Sequence, residues 1–195
     1  MTSGATGRRV RADGLKNRQR LLDVAVQAFA EQGADVAPAT IAKLAGVGVG
    51  TLYRHFPTRE ALVEAAYRSD LAKLCDRVAG LLAEHSAASA LRIWMDGCMD
   101  HAATKSGMAP ALGAAAASEG ELYAESRILL TDAVAALLAA GAADGSLRPG
   151  LNPDDVLLSV AGVALATGGY GNRAQASRLL DLLMDGLTNG VTPPG

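Results

Sequence analysis

Apolar residues recur along this chain at intervals of three and four positions, and segments in which apolar and polar residues alternate are nearly absent. The first spacing places apolar side chains on one face of an α-helix, whereas a half-buried strand requires alternation. Aromatic residues, which favour strands, make up only 4% of the chain. The pattern therefore predicts an all-α protein with about nine helices.

The N-terminal third predicts three helices. Apolar residues form one stripe along residues 15–32, and Gly33 follows as a stop signal. Two short helices come next, over residues 38–46 and 49–56, and Pro38 suits the first position of the earlier one. Two short helices joined by a tight connection are typical of a helix-turn-helix module.

The remaining sequence predicts a helical bundle. Its clearest helix start combines Asn152 as a capping residue with Pro153 at the first helical position. A glycine-rich loop over residues 168–171 precedes the last helix, and the tail 192–195 is expected to be disordered. The predicted helices of this part cover residues 58–84, 88–105, 109–117, 121–143 and 153–167, followed by a last helix that carries a leucine-rich stripe at 179–187.

The net charge of −2 conceals an uneven distribution along the chain. Residues 1–59 contain nine Lys and Arg against four Asp and Glu, whereas residues 60–195 contain nine against sixteen. A basic segment attached to an acidic remainder fits a small module that meets a polyanion such as DNA. We therefore predict a DNA-binding domain at 1–58, with a basic arm over about 1–13, and a C-terminal domain at 59–195.

Composition also bears on location. Uninterrupted apolar runs stop short of the roughly 18 residues that span a bilayer, and Arg8, Arg9 and Arg11 are not followed by the apolar segment of a secretory signal. The two cysteines, Cys75 and Cys98, fit a reduced compartment better than a disulfide scaffold. These features predict a cytoplasmic protein. The three arginines suit a solubilising terminus as well as an arm that follows DNA.

Residues 40–62 form the most informative segment, T-I-A-K-L-A-G-V-G-V-G-T-L-Y-R-H-F-P-T-R-E-A-L. Gly46 permits a sharp reversal between two helices. The side chains predicted to pack inward are Ile41, Leu44, Ala45, Val47, Leu52 and Phe56. Those predicted to face outward are Val49, Gly50, Thr51, Tyr53, Arg54 and His55.

The outward residues suit the surface of a DNA duplex. Thr51, Tyr53 and His55 offer hydrogen-bond donors to phosphate oxygens, and Arg54 and Arg59 offer positive charge. Taken singly, Tyr53 reads as an ordinary half-buried aromatic residue and His55 as an ordinary surface residue. Their place within this motif favours phosphate contact for both.

This segment resembles the DNA-binding domain of TetR-type (TetR/AcrR) transcriptional regulators, which carry the motif I-A-x-x-A-G-V-x-x-G-T-L-Y-x-H/Y-F-x-x-K/R-x-x-L. The resemblance covers about residues 15–65. It implies that phosphates are contacted by Thr51, Tyr53, His55 and Arg59. It also implies that the residues nearest the bases are Ala39, Val49, Gly50 and Arg54, and Thr40 completes the predicted DNA-binding set.

Two positions depart from the family's pattern. Gly48 and Ala37 stand where polar capping residues are common, so both short helices are expected to start without a side-chain cap. Ala39 and Val49 bring no hydrogen-bonding side chain to the base-reading positions. Recognition at those positions is therefore expected to rest on apolar contact and DNA shape.

The resemblance also implies an effector pocket between helices of the C-terminal domain. Large or polarizable side chains gather there, and core packing is the alternative explanation for each of them. The residues assigned to ligand binding are Trp94, Met95, Cys98, Met99, Met108 and Tyr123. Cys98 and His101 could meet on one helical face, but a second Cys or His cluster to complete a metal site is lacking. The sequence predicts neither a metal nor a cofactor.

The function predicted is that of a sequence-specific DNA-binding regulator and not an enzyme. The resemblance implies a homodimer on a palindromic operator, released when a small molecule moves the helix that begins at Thr58. Gly162, Ala166 and the stripe 179–187 are placed to complete a four-helix bundle with a second subunit. Two alternatives stay open: a helical-bundle enzyme or small-ligand carrier, and a helical protein-interaction module.

Overall fold

The computed structural model describes residues 3–33, 35–114, 119–168 and 172–188. Within those ranges the chain forms eight α-helices and no strand, which confirms the all-α fold. Residues 169–171 of the predicted loop 168–171, the tail 192–195 and the side chains of Arg8, Arg9 and Arg11 lie outside the described residues. The helices are α1 (Ser3–Gln32), α2 (Pro38–Leu44), α3 (Val49–His55), α4 (Arg59–Glu84), α5 (Ala87–Ala114), α6 (Glu119–Asp144), α7 (Pro153–Thr167) and α8 (Arg173–Thr188).

Local capping fixes several of these helix ends. The Asn152 side chain accepts a hydrogen bond from the Asp154 amide at 2.9 Å, at the start of α7. Thr58 Oγ1 accepts one from the Ala61 amide at 3.1 Å, at the start of α4. Gly33 ends α1 with a φ of 77°, a left-handed conformation that favours glycine. The predicted cap at Asn152, the predicted helix start at Thr58 and the predicted stop at Gly33 are confirmed.

The fifth helix differs from its prediction. Two helices were expected, over 88–105 and 109–117, whereas α5 continues without a break from Ala87 to Ala114. Gly107, expected as punctuation, lies inside the helix at a place where another backbone approaches it closely. The sequence alone does not distinguish a glycine that ends a helix from a glycine inside a helix that allows another backbone to approach closely. This continuity reduces the expected nine helices to eight in the described ranges.

The chain divides into two compact units. Unit 1 comprises residues 1–69 and 104–119, and unit 2 comprises residues 70–103 and 120–195. The three divisions fall inside α4, α5 and α6, so α4 and α5 contribute residues to both units, and α6 contributes Glu119 alone to unit 1. The functional boundary at residue 58 stays a prediction.

Unit 2 contains a core to which helices α4 to α8 all contribute. Trp94 is fully buried there, and its indole N–H donates to the Leu74 carbonyl at 3.2 Å. Nearer the surface, Arg92 of α5 donates to Asp181 at 2.7 Å and to the Ser177 hydroxyl at 2.8 Å. The arginine thereby joins α5 to α8.

The helix α6 is both long and apolar. Its segment Leu122–Asp144 is long and apolar enough, by length and composition alone, to cross a membrane. A search for uninterrupted apolar runs misses it because a few charged residues interrupt the sequence. Val134 and Leu137 of this helix are fully buried in the core of unit 2. The core helix of a globular protein meets the same length and composition test.

The leucine-rich stripe of α8 also belongs to this core. Leu180, Met184 and Leu187 are all buried within unit 2. They were expected to face a second subunit, but they pack inside their own. Leu182, in contrast, is 67% exposed.

Candidate nucleic-acid interface

The inner side of the helix-turn-helix packs largely as predicted. Ile41, Ala45, Leu52 and Phe56 are each at most 2% exposed. Leu44 was expected to join them, but it is 60% exposed. Ala45 lies one helical turn after Ile41 and continues the buried face of α2, whereas Leu44 lies to one side of that face. Ala45 takes the inward position, so the prediction for Leu44 is wrong.

The turn between α2 and α3 is formed by a left-handed glycine and a backbone hydrogen bond. Gly46 adopts a φ of 67°, and the Val47 amide donates to the Ala42 carbonyl at 3.0 Å. Ala37 and Gly48 precede the two helices, and neither start has a side-chain cap. The predicted absence of both caps is confirmed. The first amides of α2 and α3 are therefore not occupied by a capping side chain.

The outer face of α3 presents the residues that the sequence assigned to DNA. Val49 is 41% exposed and Tyr53 is 46% exposed. Gly50 and Arg54 are also exposed, and Thr51 is half-buried. A seven-residue helix with this exposure offers hydrogen-bond donors, positive charge and an apolar contact on one side.

The remaining assigned residues flank this face. Ala39 and Thr40 are exposed on α2, and His55 at the end of α3 is half-buried beside Phe56, with ring centroids 6.2 Å apart. Arg59 at the start of α4 donates to Asp35 at 3.3 Å. Unit 1 thus brings together all nine residues of the predicted DNA-binding set.

Two further basic residues were missed in the sequence. The guanidinium carbon of Arg18, on α1, lies 5.2 Å from the centre of the Phe56 ring. Lys43 is exposed in the last turn of α2. Both belong to unit 1 and add to its positive charge. The cation–π contact with Phe56 links the charge of Arg18 to the end of α3.

The predicted ligand-binding residues do not form one cluster. Four of them lie in the core of unit 2, and Tyr123 is half-buried in the same unit. Met108 is fully buried in unit 1. The four core residues are Trp94, Met95, Cys98 and Met99.

An open depression of about 500 Å³ lies elsewhere on unit 2. Its lining includes Arg92, Asp181 and Met184, and it contains none of the six predicted ligand-binding residues. Because the arginine and aspartate are bonded to each other at 2.7 Å, their charges largely neutralise one another. The depression is distinct from the predicted pocket.

The polar groups beside the predicted pocket residues have protein partners. His101 is 8% exposed, and its Nδ1 lies 2.7 Å from a carboxylate oxygen of Asp70. Burial raises the pKa of the Cys98 thiol well above its ordinary value, and the neighbouring Cys75 adds to the effect. In the described part of the chain, no group of three metal-ligating side chains comes together.

Comparison with known families covers both parts of the chain. Residues 21–66 match the family of bacterial regulatory proteins called tetR. Residues 86–189 match the C-terminal domain of SbtR-like transcriptional regulators, a TetR C-terminal class. The two matches together leave out residues 1–20, residues 67–85, most of which belong to α4, and residues 190–195.

Individual relatives agree. A TetR transcriptional regulator from Streptomyces coelicolor has a similar structure, with a TM-score of 0.83, 50% identity, and coverage of 89% of this chain and 99% of its own. A TetR regulatory protein from Mycobacterium vanbaalenii has a TM-score of 0.76 at 29% identity, with coverage of 92% and 99%. An HTH-type transcriptional regulator from Staphylococcus aureus is 40% identical over 63 residues, 32% of this chain. That match spans about a third of the curated relative's length, 34%.

Proposed function

This chain belongs to the TetR family of transcriptional regulators, and we propose that it binds operator DNA as a homodimer and is released from it by a small-molecule effector. The observation that carries this proposal is the exposed face of α3. Thr51, Tyr53 and Arg54 stand on that face, while Leu52 and Phe56 anchor the helix from below. A cytoplasmic location and a regulatory, non-catalytic role are parts of the same proposal.

Phosphate contacts are assigned to donors that surround α3. Thr51 and Tyr53 contribute hydroxyl groups, and His55 contributes a ring N–H. Arg59 is held by Asp35, whose side chain is fully exposed. An exposed ion pair of this kind contributes little stability, so the arginine exchanges Asp35 for a phosphate at small cost. The assigned phosphate ligands therefore need no rearrangement of the buried core.

Base contacts are assigned to the residues at the exposed start of α3 and on α2. Arg54 is the charged member of this set, and a guanidinium group binds the major-groove edge of guanine with two hydrogen bonds. The side chain of Val49 offers an apolar contact to the methyl group of thymine. Ala39, Thr40 and Gly50 allow the backbone to come close to the duplex. We therefore expect Arg54 to contribute most of the direct base discrimination.

Dimerisation is assigned to α7 and to the exposed edge of α8. Leu158 and Leu165 of α7 are 72% and 87% exposed, and Leu182 of α8 is 67% exposed. Gly162, also exposed on α7, has open space where a Cβ would stand. Exposed leucines beside a small residue suit close packing of helices from two subunits.

Effector binding is assigned to α5. Met95 and Met99 are buried in the core of unit 2, and methionine side chains adapt to new neighbours more readily than branched ones. A ligand that opens this part of the core must favour one conformation of α5 over another to change DNA affinity. Because α5 contributes to both units, its displacement can affect unit 1.

Selection from random duplexes tests this proposal. The purified protein is expected to enrich a palindromic site, and binding to that site is then measured for Tyr53→Phe and Arg54→Ala. Tyr53→Phe loses one donor to phosphate, so we expect about a threefold to tenfold weaker affinity with unchanged base preference. Arg54→Ala is expected to weaken binding by about 1–3 kcal/mol and to relax preference at one base pair of each half-site.

A charge-matched control separates these effects from general electrostatics. Arg148→Ala also removes one positive charge, but Arg148 is exposed in the loop after α6, in unit 2. Operator affinity of this variant should stay within about twofold of the unchanged protein. A protein that enriches no duplex, or that loses as much affinity with Arg148→Ala as with Arg54→Ala, contradicts the proposed interface.

A further inference from the structure

The last turns of α5 belong to unit 1, together with α1, α2 and α3. Thr104, Met108 and Leu112 are each at most 5% exposed. Their spacing of four residues places them on one face of the helix. Residues 104–112 of α5 therefore pack into the unit that carries the proposed DNA-binding face.

Gly107 lies at the closest approach within this packing. A Cβ at position 107 would meet the carbonyl oxygen of Phe29 at a distance that real Cβ atoms essentially never show. It would also stand 3.3 Å from the Phe29 carbonyl carbon and 3.7 Å from the Cα of Gly33. These neighbours are backbone atoms, which cannot rotate away as a side chain can. Only glycine fits at position 107 without moving one of the two helices.

The backbone that Gly107 meets is the C-terminal turn of α1. The Phe29 carbonyl accepts the Gly33 amide at 3.0 Å, and the positive φ of Gly33 ends the helix there. The Phe29 side chain is fully buried, and α1 packs against both α2 and α3. A displacement of this turn therefore reaches the helices that form the proposed DNA-binding face.

We infer that Gly107 positions the DNA-binding unit: its missing side chain lets α5 set the placement of α1, and through α1 that of α2 and α3. The inference rests on the proposed function, because four residues assigned there to effector binding, Trp94, Met95, Cys98 and Met99, lie earlier on the same helix. Because α5 is one continuous helix, a shift of α5 caused by a bound effector also displaces Gly107 at its contact with α1. Gly107 is a positioning residue and touches neither DNA nor effector.

The first test compares two glycine-to-alanine variants on the duplex selected above. Gly107→Ala forces α5 and α1 apart, and we expect operator affinity to fall about tenfold or more. Gly80→Ala is the matched control, since Gly80 is exposed on α4 with open space around it. Its affinity should stay within about twofold of the unchanged protein. Equal affinities for the two variants would overturn the inference.

The second test needs no variant and so does not depend on whether Gly107→Ala folds. Amide hydrogen exchange of the unchanged protein is measured with and without the selected duplex. We expect bound duplex to slow exchange in residues 104–112 of α5 and in the turn at residues 29–33, neither of which is assigned to DNA contact. If the duplex binds and protects α3 while exchange in residues 104–112 is unchanged, the inference is wrong and the proposed function stands. If no duplex binds, the proposed function itself fails, and the inference fails with it.

Discussion

Asp144 shows at the residue scale how one side chain can hold two helices together. Its carboxylate accepts a hydrogen bond from the Ala87 amide at 3.0 Å, at the start of α5, and another from the Ser146 amide at 2.8 Å. The Ser146 side chain, followed by these two amides, holds the pKa of Asp144 below its ordinary value. The end of α6 thus caps the start of α5.

The lowered pKa predicts a specific dependence of stability on pH. A carboxylate with a lowered folded-state pKa stabilises the fold above its unfolded pKa of about 3.9, and the contribution is lost as pH falls through the lower folded value. Asp144→Asn keeps the shape but cannot ionise. We expect its urea midpoint to lie below that of the unchanged protein at pH 6 and to approach it at pH 3. A constant difference between the two midpoints across that range would contradict this role.

Some residues of the helix-turn-helix were predicted correctly from the sequence, and others were not. Helical periodicity predicted most of the inward side of the helix-turn-helix: Ile41, Ala45, Leu52 and Phe56 are buried, and Val47 is half-buried. The prediction for Leu44 was wrong, because periodicity leaves the edge of an apolar stripe ambiguous and Ala45 occupies the inward position. The contact of Arg18 with Phe56 joins residues 38 positions apart, and no local pattern predicts such a pair.

At the scale of elements, the start of α7 is the clearest case in which sequence dictated structure. Asn152 accepts the Asp154 amide at 2.9 Å, and Pro153 occupies the first helical turn, where its missing amide costs nothing. Asp154 and Asp155 face the positive end of the helix dipole. The capping asparagine, the proline and the two aspartates all indicate the same helix start, so the start of α7 was predictable from local sequence alone.

Removal of this cap gives a prediction with a known magnitude. Asn152→Ala leaves an amide of the first turn without its acceptor, and we expect the free energy of unfolding to fall by about 1 kcal/mol. Asn152→Asp retains an acceptor oxygen and should lie within about 0.5 kcal/mol of the unchanged protein. Urea unfolding followed by circular dichroism measures both. Should the alanine variant match the aspartate variant, the cap does not contribute to stability.

The helix α5 is the corresponding case in which local signals misled. Gly107 and Pro110 both disfavour a continuous helix, and the sequence therefore predicted two helices. Burial of Met108 and Leu112 in unit 1 favours continuity instead, and tertiary packing commonly overrides propensity. The distinction depends on Phe29, which lies 78 positions earlier in the chain. No window of local sequence contains that information.

At the scale of the whole molecule, helical periodicity was sufficient for the fold class, and the motif at 40–62 was sufficient for the family. The C-terminal part was less predictable. Its helices share a similar alanine- and leucine-rich composition, so the sequence does not reveal which stripe faces the core and which faces solvent. The stripe on α8 looked like an interface, yet Leu180, Met184 and Leu187 are buried within the subunit.

The exposed leucines of α7 therefore give the sharpest test of the proposed assembly. Leu158 and Leu165 are seven positions apart, two helical turns, so they share one face of the helix. Burying one leucine side chain contributes about 1.5–3 kcal/mol, and a twofold interface buries each residue twice. Leu165→Asp should therefore shift the dimer toward monomer by at least about a hundredfold in dissociation constant, measured by analytical ultracentrifugation.

Ile128→Asp provides the matched control, because Ile128 is 61% exposed on α6 and lies outside the proposed interface. It should leave the dimer intact. A single recognition helix contacts only a few base pairs, so loss of the dimer must also remove most of the affinity for a palindromic duplex. A Leu165→Asp protein that is monomeric and still binds that duplex with unchanged affinity would show that twofold symmetry is not the source of selectivity. If Ile128→Asp alone dissociates the dimer, the interface lies on α6 and not on α7.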